Sequence, residues 1–403
     1  MTPSSGLRGG AAPTVSTAAD CAALCRIRAM SFTIEMRLSL AQTDFVREGE
    51  GGPMLKPLTC WLAFSVAMAA VEARANDSSA ELSTGGLVLT KNDAIELRAE
   101  DLFISSQQVR VAYRFFNTTS APVQIVVAFP LPDVTYEGID DMIAIPKVSA
   151  PENFLGFATT VNGQPVAERV EQKVFAKDVE RTRELRELGV PLAPYLENLR
   201  KRLDAMPTDS RKRLVALGLA VEETEYQGEK PIVLLNPTWT LKTTYYWDQT
   251  FPPGETTIEH RYAPSVGVSM GSTVSSPFVA EALRKADLDE GDRDEIDEFN
   301  AHVRTYCLDD GFIQSARRIE KSLPQETPLI ERRIAYVLKT AANWSGPIKA
   351  FRLVVDKQYP DNLVSFCGQG VRKTGPTTFE MTKTDFTPAQ DLSILILTTH
   401  SGD

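Results

Sequence analysis

VRVAYRFFNTTSAPVQIVVAFPLP, residues 109–132, is the stretch on which the reading of the fold turns. Val109, Val111, Tyr113 and Phe115 are apolar at every second position, with Arg110, Ala112 and Arg114 between them. A strand sends alternate side chains to opposite faces, so the pattern predicts one face on a core and the other toward water. Asn117-Thr118-Thr119-Ser120-Ala121-Pro122 is turn chemistry, and Val123, Ile125, Val127 and Phe129 resume the alternation. Pro130 and Pro132 lack the backbone donor that a ladder needs, and they close the run. The segment predicts a half-buried antiparallel hairpin to whose sheet the rest of the chain is added.

The chain around it has 403 residues, a length for two or three domains, and an ordinary 43% of hydrophobic residues. Its formal net charge is −10, and it is −11 without the first 75 residues, which leaves 36 basic against 47 acidic side chains. That balance excludes the basic footprint of a nucleic-acid binder.

Residues 1–53 are rich in Ala, Gly, Ser and Thr and show no sustained periodicity. Cys21 and Cys25 there have no second pair or histidine partners for a zinc site. A secretory signal follows at 54–75: Met54-Leu55-Lys56 supplies a positive start, 57–71 an apolar run, and Ala73-Arg74-Ala75 a cleavage site before Asn76. The run is shorter than the roughly 20 apolar residues that a spanning helix needs. Its position suggests that translation starts at Met54 and that 1–53 is a mis-assigned or disordered extension. Secreted protein would then begin at Asn76, and N-terminal sequencing that recovers upstream residues would contradict this.

Beyond Asn76, Leu87–Thr90 and the alternation Ile95, Leu97, Ala99 predict strands ahead of the 109–132 segment. A second hairpin is expected at 157–166 around Asn162-Gly163. From 168 to 187 the chain carries six acidic and six basic residues, with Val166, Val170, Val174, Leu185 and Leu188 near helical spacing, and Gly189 and Pro191 at its end. With further helices at 195–206 and 210–217, this gives a helical insertion over 166–230. The sheet resumes in TWTLKTTYYWDQTF, where Trp239, Leu241, Tyr245 and Trp247 share one face, and Pro252-Pro253-Gly254 turns into a partner strand at 257–262. A second helical stretch covers 277–321, and five strands are expected between 334 and 397. The expected fold class is therefore mainly β with helical insertions (α+β). An antiparallel β-sandwich domain fills 76–275, a helical connector 276–325, and a smaller β-rich C-terminal domain 326–403.

The chain from Asn76 through FPLPD, NPTW, FPPGETTIEHRYAPSVG, NLVSFCG and DFTPAQDL resembles a family of secreted bacterial proteins known as domain-of-unknown-function family 4424. The resemblance implies export and a β-rich fold, and it carries no activity, cofactor or catalytic residue. A weaker architectural likeness is to the vault inter-alpha-trypsin type of β-sandwich. It rests on the strand ending in FPLP, the Asn162-Gly163 hairpin, a charged helix and the strand after the Pro-Pro-Gly turn.

Few motifs carry chemistry. Gly267-Val268-Ser269-Met270-Gly271 matches G-x-S-x-G, but a nucleophile elbow needs a strand before the serine and a helix after it. Pro264 and the Ser/Thr run up to Pro277 do not supply that, so a serine hydrolase using Ser269 is the alternative reading. The acidic run 287–294 puts Ala286 or Asp292 at positions where a calcium loop requires a ligand or a glycine, and it reads as a solvated helix start. Gly370–Gly375 has phosphate-loop spacing with Pro376 in the lysine's place. The three histidines are scattered, and His260 in its strand pattern reads as a satisfied core imidazole. No metal or other cofactor is expected.

In the aromatic strand a shared face favours core for Trp239, Tyr245 and Trp247, with Tyr246 pointing the other way. Tyr246 and Trp247, together with Arg200 and Arg202 of a locally basic segment, are the residues put forward as ligand contacts. A processed chain keeps two cysteines, Cys307 and Cys367, and in an oxidising compartment an even number reads as a bridge. The sequence as a whole reads as an exported, periplasmic or secreted, non-catalytic binding or assembly protein of the cell envelope. Its partner is another envelope protein or a small ligand, with a soluble carrier, its pocket between the insertion and the sandwich, as a further reading.

Overall fold

Alternating apolar residues build two large sheets whose inner faces meet, and a smaller sheet closes one side of the same core. The computed structural model describes residues 78–400 except 84–85, 136–140, 145–150, 195, 197–198, 228–229 and 325–326. The extension 1–53 and the signal segment 54–75 lie outside the described residues.

The larger sheet has eight strands, in the order Arg372–Lys373, Thr378–Phe386, Ile348–Asp356, Ile95–Ile104, Val109–Asn117, Gly254–Tyr262, Ala158–Val161 and Gln164–Val166. Its neighbours are antiparallel except Ile348–Asp356 and Ile95–Ile104, which run parallel. The second sheet has seven strands, and at its centre Thr240–Phe251 lies between Arg169–Ala176 and Val123–Pro130. A five-stranded sheet (Leu363–Phe366, Leu392–Thr398, Ile330–Tyr336, Val266–Met270, Asp141–Ala144) and a two-stranded ribbon of Ala220–Gln227 with Lys230–Pro237 complete the β structure of the described residues. The fold is thus β-rich α+β, as expected, with mostly antiparallel sheets.

The strands of 109–132 form where the alternation puts them. Val109, Val111, Tyr113 and Phe115 are buried and Arg110 and Arg114 exposed. They do not pair with each other, however. Val109–Asn117 joins the eight-stranded sheet, and Val123–Pro130 joins the seven-stranded one. The expected hairpin is an arch that crosses the sandwich, and a second arch runs from Thr240–Phe251 into Gly254–Tyr262 through Pro252 and Pro253. One side chain ties both crossings together. Asn117 Nδ2 donates to Ala121 O (2.8 Å) and Phe251 O (2.9 Å), and Asn117 Oδ1 accepts from the Thr119 amide (2.9 Å). Between the sheets, Phe115 meets Phe251 at 5.6 Å and Trp344 at 4.7 Å, and Phe157 stacks on Tyr245 at 4.2 Å. The Asn162-Gly163 hairpin does form, with φ of 48° and 77° at its two turn residues, the left-handed pair that a tight two-residue turn requires.

Two sequence expectations need correction. The region 166–230 is not simply a helical insertion. Arg169–Ala176 is a strand that pairs with Thr240–Phe251, bringing Val174 opposite Leu241. Among the described residues of the region, helix is confined to Thr182–Glu187, Leu199–Asp204 and Thr208–Ala216. A spacing of four residues is even, so Val170 and Val174 share a strand face as well as they share a helix face, and pairing with the neighbouring strand decides. The C-terminal strands likewise do not stand apart as a domain. Ile348–Asp356 extends the eight-stranded sheet, and Ile330–Tyr336 pairs with Val266–Met270. The described residues from 78 onward share one compact unit. The helices Pro277–Ala282, Glu290–Tyr306 and Asp310–Ser322 occupy the stretch expected to be helical, and Glu290–Tyr306 packs on Leu392–Thr398 and Leu363–Phe366. No described helix is long and apolar enough to cross a membrane.

Candidate functional site

The eight-stranded sheet has one face in the core, and the other bends into a trough of about 870 Å³. Strand register lays its residues out in rows. One row runs Val354, Phe103, Arg110, Arg261, Ala158 across five strands. The next runs Arg352, Asp101, Ala112, Glu259, Thr160, Pro165 across six. The small Ala112 at the centre of the second row leaves a hollow between Asp101 and Glu259, and Phe103 supplies an apolar patch beside it.

The charges around that hollow are unequal in their pairing. Arg352 is engaged, with Nη1 3.0 Å from Asp101 and Nε 3.0 Å from Glu380. Arg110 and Arg261 stand directly opposite each other on adjacent strands, and neither meets a carboxylate among the described residues. The Arg110 guanidinium lies over the Phe103 ring, 4.4 Å from its centroid. Glu259, two residues before Arg261 on the same strand, makes no ion pair among the described residues either. Below this surface His260 is buried, its Nδ1 2.9 Å from Thr159 Oγ1 and its ring among Tyr113, Phe129, Phe157 and Trp247. It is the satisfied core imidazole that the strand pattern suggests.

The residues put forward from sequence do not converge. Trp247 is 2% exposed and its Nε1 donates to Gln249 at 3.1 Å, so the whole ring belongs to the sandwich core and is not a ligand contact. Tyr246 lies on the opposite face, half-buried, with the Arg169 guanidinium 4.5 Å from its ring centroid. Arg200 is exposed on Leu199–Asp204. Arg202 lines a separate cavity of about 610 Å³ with Arg186, Val190 and Leu199, and donates to Gly189 O at 3.1 Å. That cavity is walled by the helical segment itself, not by a seam with the sandwich. Ser269 sits inside the strand Val266–Met270 and accepts a hydrogen bond from Arg333, so the strand–turn–helix elbow of a hydrolase is absent around it. The acidic run caps Glu290–Tyr306: Asp289 accepts from the Asp292 amide and Asp292 from the Asp289 amide. The described residues contain no metal-holding cluster of histidine, cysteine and carboxylate side chains. The Cys307 and Cys367 sulfurs stand at disulfide distance, 2.08 Å, and link the end of that helix to the segment after Leu363–Phe366.

Sequence reasoning missed a buried charge cluster beneath the same helix. Glu331 is 1% exposed and accepts from Ser272 Oγ (2.8 Å) and Arg333 Nη1 (3.3 Å), while its Oε2 lies 3.2 Å from His302 Nε2. His302 Nδ1 faces Glu298 O at 3.1 Å. Both ring nitrogens therefore face acceptors, and only the imidazolium satisfies both at once. Burial works against charge on His302, but the Glu331 carboxylate and the carbonyl and carboxylate of Glu298 together outweigh it and hold the imidazole above its ordinary range. Burial likewise pushes Glu331 up, and His302, Ser272 and Arg333 together bring it below the ordinary carboxylate range. Ser272, His302 and Glu331 come from three separate parts of the chain, with Ser272 59 positions before Glu331, and no sequence signal joins them.

No curated protein matches the chain. A crystal structure from Legionella pneumophila, described provisionally as that of a nutrient binding protein, shares 14% identity over 81% of this chain and 71% of its own length. Its TM-score is 0.36, at which the likeness carries no argument about this chain. The model of a domain of unknown function, DUF4424, matches residues 75–395, and it is the first of the two resemblances seen in the sequence. The vault inter-alpha-trypsin likeness receives no support from it. With four-fifths of its length matched, the chain belongs to the DUF4424 family.

Proposed function

We propose that this chain is an exported, non-catalytic binding protein of the bacterial cell envelope and that its ligand seats in the trough of the eight-stranded sheet. The observation that carries the reading is the trough itself. It offers about 870 Å³, within the usual span of ligand sites, on strands held from below by a packed core. Its rim carries two arginines and a glutamate that have no ion-pair partners among the described residues. Export is supported by the signal segment Met54–Ala75, by a family match that begins at residue 75, and by a cysteine pair suited to an oxidising compartment.

Ala112→Trp tests the seat, because it fills the hollow from an outward strand position where a large aromatic is well tolerated. In a thermal-shift screen of small metabolites, wild type should be stabilised by at least one compound that leaves Ala112→Trp unmoved. Equal stabilisation of both proteins by every active compound would place binding elsewhere.

A further inference from the structure

We propose that the ligand of the trough carries an oxyanion, a carboxylate or a phosphate, held between Arg110 and Arg261; this deepens the binding reading above and rests on it. The two arginines are register partners, so their Cβ atoms lie about 5 Å apart, and like charges directly opposed across a sheet are unfavourable. No acid among the described residues relieves this. Asp101 is taken by Arg352, and Glu259 makes no ion pair among them although it is on the same face and strand as Arg261. An oxyanion between the guanidiniums removes the repulsion and receives parallel N–H donors, the geometry that arginine offers to planar carboxylates and to phosphates.

The Arg110 guanidinium rests on Phe103, on the neighbouring strand away from Arg261, which holds the two guanidiniums apart and leaves the space over the Arg110 strand for the oxyanion between them. The rest of the trough limits the ligand's size and charge. Ala112 and Phe103 leave room for a short apolar or hydroxylated body, and Thr160 can hydrogen-bond it. The Glu259 carboxylate, which makes no ion pair among the described residues, repels a second anionic group beside the first. A polyanion is disfavoured on this surface, and a small molecule with one anionic end fits it.

Calorimetric titration of the full chain tests this with inorganic phosphate, acetate and glycerol 3-phosphate, and with glycerol and choline as neutral and cationic probes. At least one oxyanion probe should bind, more weakly at high salt. Its affinity should fall at least tenfold, about 1.4 kcal/mol, in Arg110→Ala and in Arg261→Ala. Acetate against phosphate separates the two oxyanion sources. Circular dichroism should show both variants folded, as the side chains are exposed. Binding of glycerol or choline that Ala112→Trp blocks and the arginine variants leave intact would overturn the oxyanion assignment while the seat stands. Oxyanion binding indifferent to all three substitutions would overturn the assignment and the seat together. Failure of every oxyanion probe at millimolar concentration would also overturn the assignment.

Discussion

Replacing His302 with alanine removes one side of the buried pair with Glu331, and the structure sets both the size of the effect and its dependence on pH. Glu331 is 1% exposed and His302 13%, so screening by water is slight. Removing one member of a fully buried pair costs about 3–5 kcal/mol. Here Arg333 and Ser272 remain on the carboxylate, so the loss is nearer that of one charged hydrogen bond, about 2 kcal/mol at pH 6. His302 is raised in the folded state, so its contribution is complete below the unfolded value of about 6.5 and is lost as pH rises through the folded value. Glu331 is lowered, so its contribution is complete above about 4.3 and is lost as pH falls through its folded value. The difference between wild type and His302→Ala should therefore be largest between about pH 4.5 and 6.5 and shrink as pH rises through the folded value of His302. Urea unfolding at each pH reads it as a shift in midpoint with the slope unchanged. With three histidines in the chain, NMR can follow the His302 ring directly, and in Glu331→Gln its titration should fall toward the ordinary value. A difference that does not vary between pH 6 and 9, or a His302 that titrates below the ordinary range in wild type, would refute the pairing.

Asn117→Ala should destabilise by about 2–3 kcal/mol, because it strands the buried carbonyl of Phe251 and loosens both arches; a change in midpoint worth less than about 0.5 kcal/mol would contradict the role given to this side chain. Deleting 168–227 should abolish the cooperative thermal transition, since it removes Arg169–Ala176 from the sheet, and a retained transition would show that the strand is dispensable. Exported, processed protein should show no free thiol until it is reduced, and then two. The 60-residue separation of Cys307 and Cys367 gives the bridge about 4 kcal/mol in the chain-entropy model, and two titratable thiols in unreduced protein would contradict it.

Elements were legible where periodicity speaks, and partners were not. The alternation over 109–117 places Arg110 on a water-facing side, yet its neighbour Arg261 lies 151 positions on, and only the strand register joins them. The same blindness turned an arch into a hairpin. Turn residues at 117–122 permit either, and the choice rests on pairings made to 240–251 and 254–262. Over 169–176 the two periods coincide at a spacing of four, whereas Leu185 and Leu188, three apart, mark the short helix correctly. The cysteine pair was within reach because, on the expectation of an exported and processed chain, only two cysteines are left to pair. The Glu331 cluster was not, since a buried carboxylate looks like any other glutamate until its partners arrive from elsewhere in the chain.

The central claim, a ligand seat on the outer face of the eight-stranded sheet, is tested most directly by native mass spectrometry of protein taken from the compartment to which its producing cell delivers it. Wild type should carry one small molecule per chain, and Ala112→Trp, folded to the same extent, should carry none. A species bound equally to both proteins, or the absence of any bound species from wild type, would contradict the account.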